Sequence, residues 1–202
     1  MSEVLWVSLV IVTMCGLIYG WWVHFHSRFT TVSRGVLFQS AAMPPSKLVR
    51  VVQRRGIQTV FDFRSGQDSE VAAERQALAA IGVRHRHLPT SIYPSQQEIL
   101  VFVAAMQREL AQSSRILVHC EDGEGRAVMF AAIYRIEFQG WSNERAYRGT
   151  ARLPDGLRFL NWVHPRIGCL SPRNVKTGLI LRYKRTPAPA PQRSGGCSRE
   201  GG

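Results

Sequence analysis

Residues 115–135, RILVHCEDGEGRAVMFAAIYR, constrain the fold more than any other stretch of the chain. Strand formers from Arg115 lead into His119 and Cys120, and five residues containing Gly123 and Gly125 follow. From Arg126 onward the sequence is apolar almost all round a helical wheel, and such a helix must be covered on every side. A buried strand, a short glycine-bearing loop and a fully covered helix are the parts of a layered α/β structure.

The flanking sequence repeats this alternation. In RGVLFQSAAMPPSKLVRVVQRRGIQTVFDFRSG, a strand leads through Pro44-Pro45-Ser46 into a helix with Leu48, Val49 and Val52 on its apolar face. Gly56 closes that helix, and Ile57 to Phe63 read as the next strand. Asp68 to Ala80 is expected to be a helix with Val71, Ala72, Leu78 and Ala79 inward, and Val83 to Leu88 a strand. Pro94 or Ser95 begins a long helix carrying Ile99, Val101, Phe102, Val103 and Met106. Gly140 ends the helix after Arg126, Ser142 caps another, and Asp155 opens a last one. The expected class is α/β, with a mostly parallel central sheet flanked by helices.

A transmembrane helix is expected ahead of this domain. Residues 4–23, VLWVSLVIVTMCGLIYGWWV, carry no charge, and as a helix they would extend roughly 30 Å, enough to cross hydrocarbon. A secretory signal peptide is the rival reading; it would show a basic leader, a shorter apolar core and a small-x-small cleavage site. Here Glu3 is the only side-chain charge before the run, which ends in Trp21-Trp22, as an interfacial anchor does. No acid occurs between Glu3 and Asp62, whereas Arg28, Arg34, Lys47, Arg50, Arg54 and Arg55 follow the span. The excess of positive charge places the following domain on the cytoplasmic side of a single-pass membrane protein.

The chain's net charge of +12 is concentrated here and between Arg158 and Arg193. Each Lys or Arg near anionic lipid contributes about 1 kcal/mol of attraction, so anionic lipid is an expected partner beside the plain reading of a solvated basic surface. Nucleic acid is disfavoured, because neither a known module nor interleaved aromatic and basic residues are present. Cys15 lies in the apolar span, Cys197 in the tail and Cys169 in an expected loop, so the four cysteines outline no disulfide framework. The domain limits read as 1–27 for the anchor, 28–175 for the folded domain and 176–202 for a basic Pro/Gly-rich tail.

The loop between Cys120 and Arg126 carries the chemistry. At a helix N-terminus, free backbone N–H groups and the helix dipole favour an anion. Gly123 and Gly125 allow successive N–H groups to converge as a nest. Cys120 sits at the base of this positive field, which stabilises a thiolate. Arg126 can lay a planar fork across two phosphate oxygens. These parts fit attack of a thiolate on a phosphoryl group, then hydrolysis of the phosphocysteine, with no metal or cofactor required.

The motif His119-Cys120-x-x-Gly123-x-x-Arg126 resembles the signature loop of the cysteine-dependent protein tyrosine and dual-specificity phosphatases. The segments GVLFQSAAMPP, RGIQTVFDFRS and YRIEFQGWSNERA extend the resemblance to the small dual-specificity-like branch common in bacteria, over roughly residues 34–165. The resemblance implies that Cys120 is the nucleophile and Arg126 the phosphate clamp. The backbone of Glu121, Asp122, Gly123, Glu124 and Gly125 would be the cradle, and His119 would orient the loop. A rhodanese-type sulfur carrier also ends a cysteine loop in Arg, but its loop is typically shorter, and five intervening residues suit tetrahedral phosphate. A plain strand-end histidine at His119 and a salt-bridging pair at Asp62 and Arg64 stand beside the functional readings.

The family pattern is broken in three places. The residue after the clamp arginine, usually Ser or Thr, is Ala127, which predicts slow breakdown of the phosphoenzyme. The stretch HLPTSIYPSQQE, where many relatives supply an Asp general acid, has only Glu98, inside a helix, and Gly125 occupies the position of the alternative acid. Asp62, Asp122, Glu124 and His119 are the remaining candidates for the acid or a supporting role. Finally, Glu121, Asp122 and Glu124 oppose anion binding. At about 6 Å and an effective dielectric near 20, each acid costs on the order of 2–3 kcal/mol before screening. They should disfavour highly phosphorylated substrates and favour phosphate flanked by basic groups, as in a phosphoprotein.

The leading expectation is therefore a membrane-anchored phosphatase acting on phosphotyrosine or another phosphomonoester. The alternatives are an impaired relative that binds phosphate as a signalling module, and a structural membrane protein whose basic surface binds lipid.

Overall fold

The computed structural model describes residues 2–66, 69–150 and 174–185. Five strands form one sheet: β1 (Thr30–Ser33), β2 (Leu37–Ala41), β3 (Thr59–Asp62), β4 (Arg84–His87) and β5 (Ile116–Cys120). Their spatial order is β1-β2-β5-β3-β4; β1 runs antiparallel to β2, and all other pairs are parallel. The expected mostly parallel α/β sheet is therefore present. The hairpin strand β1 is an addition; four residues with only Val32 strongly apolar leave little periodic signal.

The helices are α1 (Ser2–His24), α2 (Pro45–Arg55), α3 (Ser69–Ala79), α4 (Gln96–Ala111), α5 (Arg126–Gln139), α6 (Asn143–Arg148) and α7 (Asn174–Arg182). Gly56 and Gly140 adopt the left-handed conformation that ends α2 and α5. Ser95 and Glu98 form a reciprocal capping box at the start of α4.

Side chains alternate across the sheet and build two cores. Leu48 and Val52 of α2 and Leu78 of α3 cover one face with Phe38, Val60 and Leu117. On the other face, Phe102 of α4 and Phe130 and Ile133 of α5 cover Leu37, Phe61, Ile116 and Val118. Within it, the Phe63 and Phe130 rings stack at 4.2 Å, and Phe102 lies 4.6 Å from Phe130. In α5, Ala127 and Met129–Ile136 are all buried, as its uniform apolarity requires.

Two expectations are corrected. In α3, Val71 and Leu78 face inward as expected, but Ala72 and Ala79 are exposed and Glu74 is buried in their stead. The spacing Val71–Glu74–Leu78 defines the inward stripe, and partners described below hold the charge. The boundary at residue 175 also falls inside a helix. Ile180 of α7 is buried in the larger core, Tyr183 donates to Glu137 at 2.6 Å, and Asn143 donates to the carbonyls of Leu181 and Tyr183. The folded domain thus includes residues 178–185. The helix expected at Asp155, Cys169 and the tail from Thr186 lie outside the described residues.

Helix α1 is long and apolar enough to cross a membrane: within residues 3–24 its apolar span has a mean hydropathy of 2.0 and is not buried by the domain. A signal sequence shares that property. At its C-terminal end the helix turns onto the domain. Trp22 is buried and its indole N–H donates to the Phe29 carbonyl at 3.1 Å. Phe29 stacks on Phe38 at 5.5 Å.

Candidate active site

The carboxyl ends of β2, β5 and β3 converge on one rim of the sheet. Residue Ala41 is in register with Cys120, and Asp62 with His119. The chain leaves β2 and β3 toward α2 and α3 on one face, and leaves β5 toward α5 on the other. A crevice opens where connections diverge in this way, and ligands of open α/β sheets bind there. The loop from Cys120 to Arg126 occupies this position.

Neighbouring backbone fixes the loop. The Ala42 N–H donates to the Glu121 carbonyl at 2.9 Å, and the Gln39 amide donates to the Gly123 carbonyl at 3.3 Å. Gly123 has φ +67°, and a Cβ there would lie 2.6 Å from the Ala41 nitrogen and 2.8 Å from the Ser40 carbonyl carbon. Glycine is required at this position both by conformation and by space. Helix α5 begins at Arg126 with Gly125 at its N-cap and no side-chain capping hydrogen bond. Its first N–H groups are thus not taken by a side-chain cap.

Cys120 is 2% exposed, at the floor of the loop. Arg126 is held by one nitrogen: Nη1 donates to the carbonyls of Phe63 at 2.6 Å and Thr90 at 3.1 Å, and to Ser65 Oγ at 3.2 Å. Among the described residues no acceptor takes Nε or Nη2, so one edge of the guanidinium fork remains for a ligand. Ala127 is fully buried behind it.

Behind the loop, on the α3 side of the sheet, lies a charge cluster that the sequence reading did not assemble. Asp62, Arg64, Glu74, His85 and His119 have almost no exposed side chain. Arg64 Nη2 donates to Asp62 at 2.8 Å and to Glu74 at 2.6 Å, while Arg64 Nε and N–H also reach Asp62 Oδ1. His119 Nε2 lies 2.8 Å from Glu74, and His85 Nε2 3.2 Å from Glu74 and 3.7 Å from Asp62. Burial alone would raise both carboxyls. The pull of His85 and Arg64 outweighs it at Asp62, which lies far below the ordinary carboxylate range. His119 and His85 together bring Glu74 down to about 2. His85 moves the opposite way: burial opposes its charge, but Asp62 and Glu74 raise its pKa.

This geometry revises the sequence-predicted roles. His119 touches Glu74 and ties the end of β5 to α3 just before Cys120. Asp62 cannot serve as general acid: it is 0% exposed and locked ionised against Arg64, without a proton to donate. Asp62, Glu74 and His119 offer atoms within 4.8 Å of one another, a spacing a metal could use. The Arg64 guanidinium already occupies the carboxylates as their counter-charge, so these donors do not fit an added cation well. Glu98 is also committed, its carboxylate accepting from the Ser95 and Ser91 N–H groups at 2.6 and 2.9 Å.

The three loop acids are not equivalent. Glu121 and Asp122 are exposed, whereas Glu124 is half-buried and ion-paired with Arg28. Nothing in the helical or strand periodicity could have paired Arg28 with Glu124. Glu74 was legible in principle from its place between Val71 and Leu78.

Comparison with known proteins agrees with this geometry. Residues 36–139 match the model of a family described as a polymorphic toxin system DSP-PTPase phosphatase. The chain is 30% identical over 106 residues to the dual specificity protein phosphatase TpbA of Pseudomonas aeruginosa, covering 52% of this chain and 46% of that protein. It therefore spans about half the length of the curated relative it matches. Among solved structures, a cysteine-to-serine variant of P. aeruginosa TpbA in complex with phosphotyrosine superposes with a TM-score of 0.53 at 25% identity, covering 68% of this chain and 91% of that one. The core catalytic domain of the S. cerevisiae PP-IP phosphatase SIW14, bound to citrate, shares the fold, with a TM-score of 0.56 at 14% identity over 77% of this chain and 85% of that one. With its signature loop between β5 and α5, the chain belongs to the DSP-PTPase phosphatase family of polymorphic toxin systems.

Proposed function

We propose that the chain is a membrane-anchored, cysteine-dependent phosphatase that hydrolyses phosphomonoesters, phosphotyrosine or other phosphoprotein groups foremost. The observation that carries this reading is the uncapped start of α5, with Cys120 at its base and the free edge of Arg126 at its side. The Cys120 thiolate attacks phosphorus, the P–O ester bond breaks, and the leaving oxygen takes a proton. Water then attacks the phosphocysteine, breaking the S–P bond and releasing phosphate with the thiolate restored. The backbone of Glu121 to Gly125 and the Arg126 fork hold the equatorial oxygens as charge spreads over them. His119, braced by Glu74, keeps Cys120 in place.

With Asp62 locked and Glu98 committed, exposed Asp122 remains the loop acid best able to carry the proton; an activated leaving group needs none. The phosphotyrosine in the TpbA complex supports a phosphoprotein substrate. The span of α1 and the basic segment after it support a single-pass anchor with the domain in the cytoplasm and anionic lipid nearby. Buried Ala127 favours one second reading, in which phosphate is bound and turnover is impaired.

The test is hydrolysis of an activated aryl phosphate by the full chain in detergent micelles, beside C120S. Turnover that vanishes in C120S supports the enzyme. Turnover unchanged in C120S contradicts it, and phosphate binding without turnover selects the impaired reading.

A further inference from the structure

The segment joining α1 to the domain reaches the signature loop directly. The Ser27 carbonyl accepts from the Ala41 N–H at 2.8 Å. The next residue, Ala42, donates to Glu121, and Gly123 packs on Ser40 and Ala41. Ser27 and Arg28 adopt φ of +49° and +52°, a conformation that non-glycine residues take up only when their surroundings impose it. Several contacts impose it here. Arg28 N–H donates to the Trp22 carbonyl at 3.0 Å, Lys47 Nζ donates to Ser27 Oγ at 2.8 Å, and Ser27 is buried. The result aims the Arg28 guanidinium at Glu124, inside the phosphate loop.

Glu124 is a carboxylate where a dianion must bind. Left alone, it would repel the ligand. Its partner Arg28 lies outside the residues that match the family, 36–139, so it is supplied by this chain's own N-terminal segment.

Resting on the phosphatase reading above, we propose that Arg28 is a positioning residue of the phosphate site. It neutralises Glu124 and, with the Ser27–Ala41 and Ala42–Glu121 hydrogen bonds, holds the loop open to a phosphomonoester. The end of α1 and the phosphate cradle are thereby one mechanical unit.

The experiment measures binding of inorganic phosphate to the full chain in neutral detergent micelles by calorimetry, with thermal unfolding of each variant alongside. R28Q should weaken phosphate binding about tenfold, the effect of removing one cation from beside the site after solvent screening. Adding Glu124→Gln to R28Q should recover most of that loss, because no charge is left to neutralise. A purely structural Arg28 would give a loss that Glu124→Gln does not repair, and that result overturns the proposal, as does R28Q binding like the natural chain. If R28Q does not fold, the swapped pair Arg28→Glu with Glu124→Arg decides: affinity within about threefold of the natural chain supports the bridge, and a tenfold loss overturns it. Absence of phosphate binding by the natural chain would defeat the site reading along with the proposal, whereas retained binding in R28Q defeats the proposal alone.

Discussion

Replacing Glu74 by Gln is expected to destabilise the domain by about 3–5 kcal/mol, the cost of removing one charged partner from a buried ionic network. Glu74 is 1% exposed and touches Arg64, His119 and His85. An amide of the same shape fills the space but supplies no charge. Arg64 keeps Asp62, while His119 and His85 lose their closest carboxylate. Chemical denaturation of the two proteins at neutral pH measures the difference; equal midpoints would show that the cluster contributes nothing. Activity should fall as well, since His119 immediately precedes Cys120 and would lose its brace.

The same cluster sets a pH dependence. Folding lowers Glu74 from its ordinary 4.5 to about 2, and lowers Asp62 further. A group depressed by folding adds stability that is complete above its ordinary value and disappears as pH falls through the folded one. For Glu74 this window runs from about pH 4.5 to about 2. His85, raised by Asp62 and Glu74, has the opposite sign: its contribution is complete below 6.5 and is lost as pH rises through the raised value. The acid limb of the natural chain's stability curve should therefore be steeper between pH 4.5 and 2 than that of the Glu74→Gln variant.

Arg126→Lys is expected to lower kcat/KM on an aryl phosphate by roughly 10²–10³, or about 2.7–4 kcal/mol of transition-state stabilisation. The guanidinium uses Nη1 on the Phe63 and Thr90 carbonyls, and in the proposed mechanism Nε and Nη2 take oxygens of the substrate. A lysine ammonium is one point charge on a flexible stem and cannot do both at once. Arg126 belongs to the site more than to the core, so the melting temperature should change far less than the rate. Steady-state kinetics resolves this, and a Lys variant retaining more than a tenth of the activity would remove the fork from the mechanism.

Much of the molecule was legible from periodicity and punctuation. Strand β5, the loop and α5 were readable because an all-apolar helix after a glycine-bearing turn has few other uses. Gly56, Gly140 and Ser95 marked helix ends through conformations and hydrogen bonds local to the chain. What escaped depends on contacts between distant segments. Glu74 resembled a solvated helix residue because its partners, Arg64, His85 and His119, come from three other elements. Asp62 looked available as an acid until Arg64 was found to grip both its oxygens. Arg28 was one of six positive charges after the span, and only the turn at Ser27 distinguishes it. Among the loop acids, the ion pair of Glu124 with Arg28 escaped for the same reason.

Passage of a phosphoryl group through Cys120 is tested most directly by rapid acid quench of the full chain mixed with an aryl phosphate labelled at phosphorus. The mechanism predicts a burst of label on the protein, carried by the peptide containing Cys120, absent in C120S and decaying slowly because Ala127 lacks a hydroxyl to assist release. Product formation without label on Cys120, or label that persists in C120S, would contradict it.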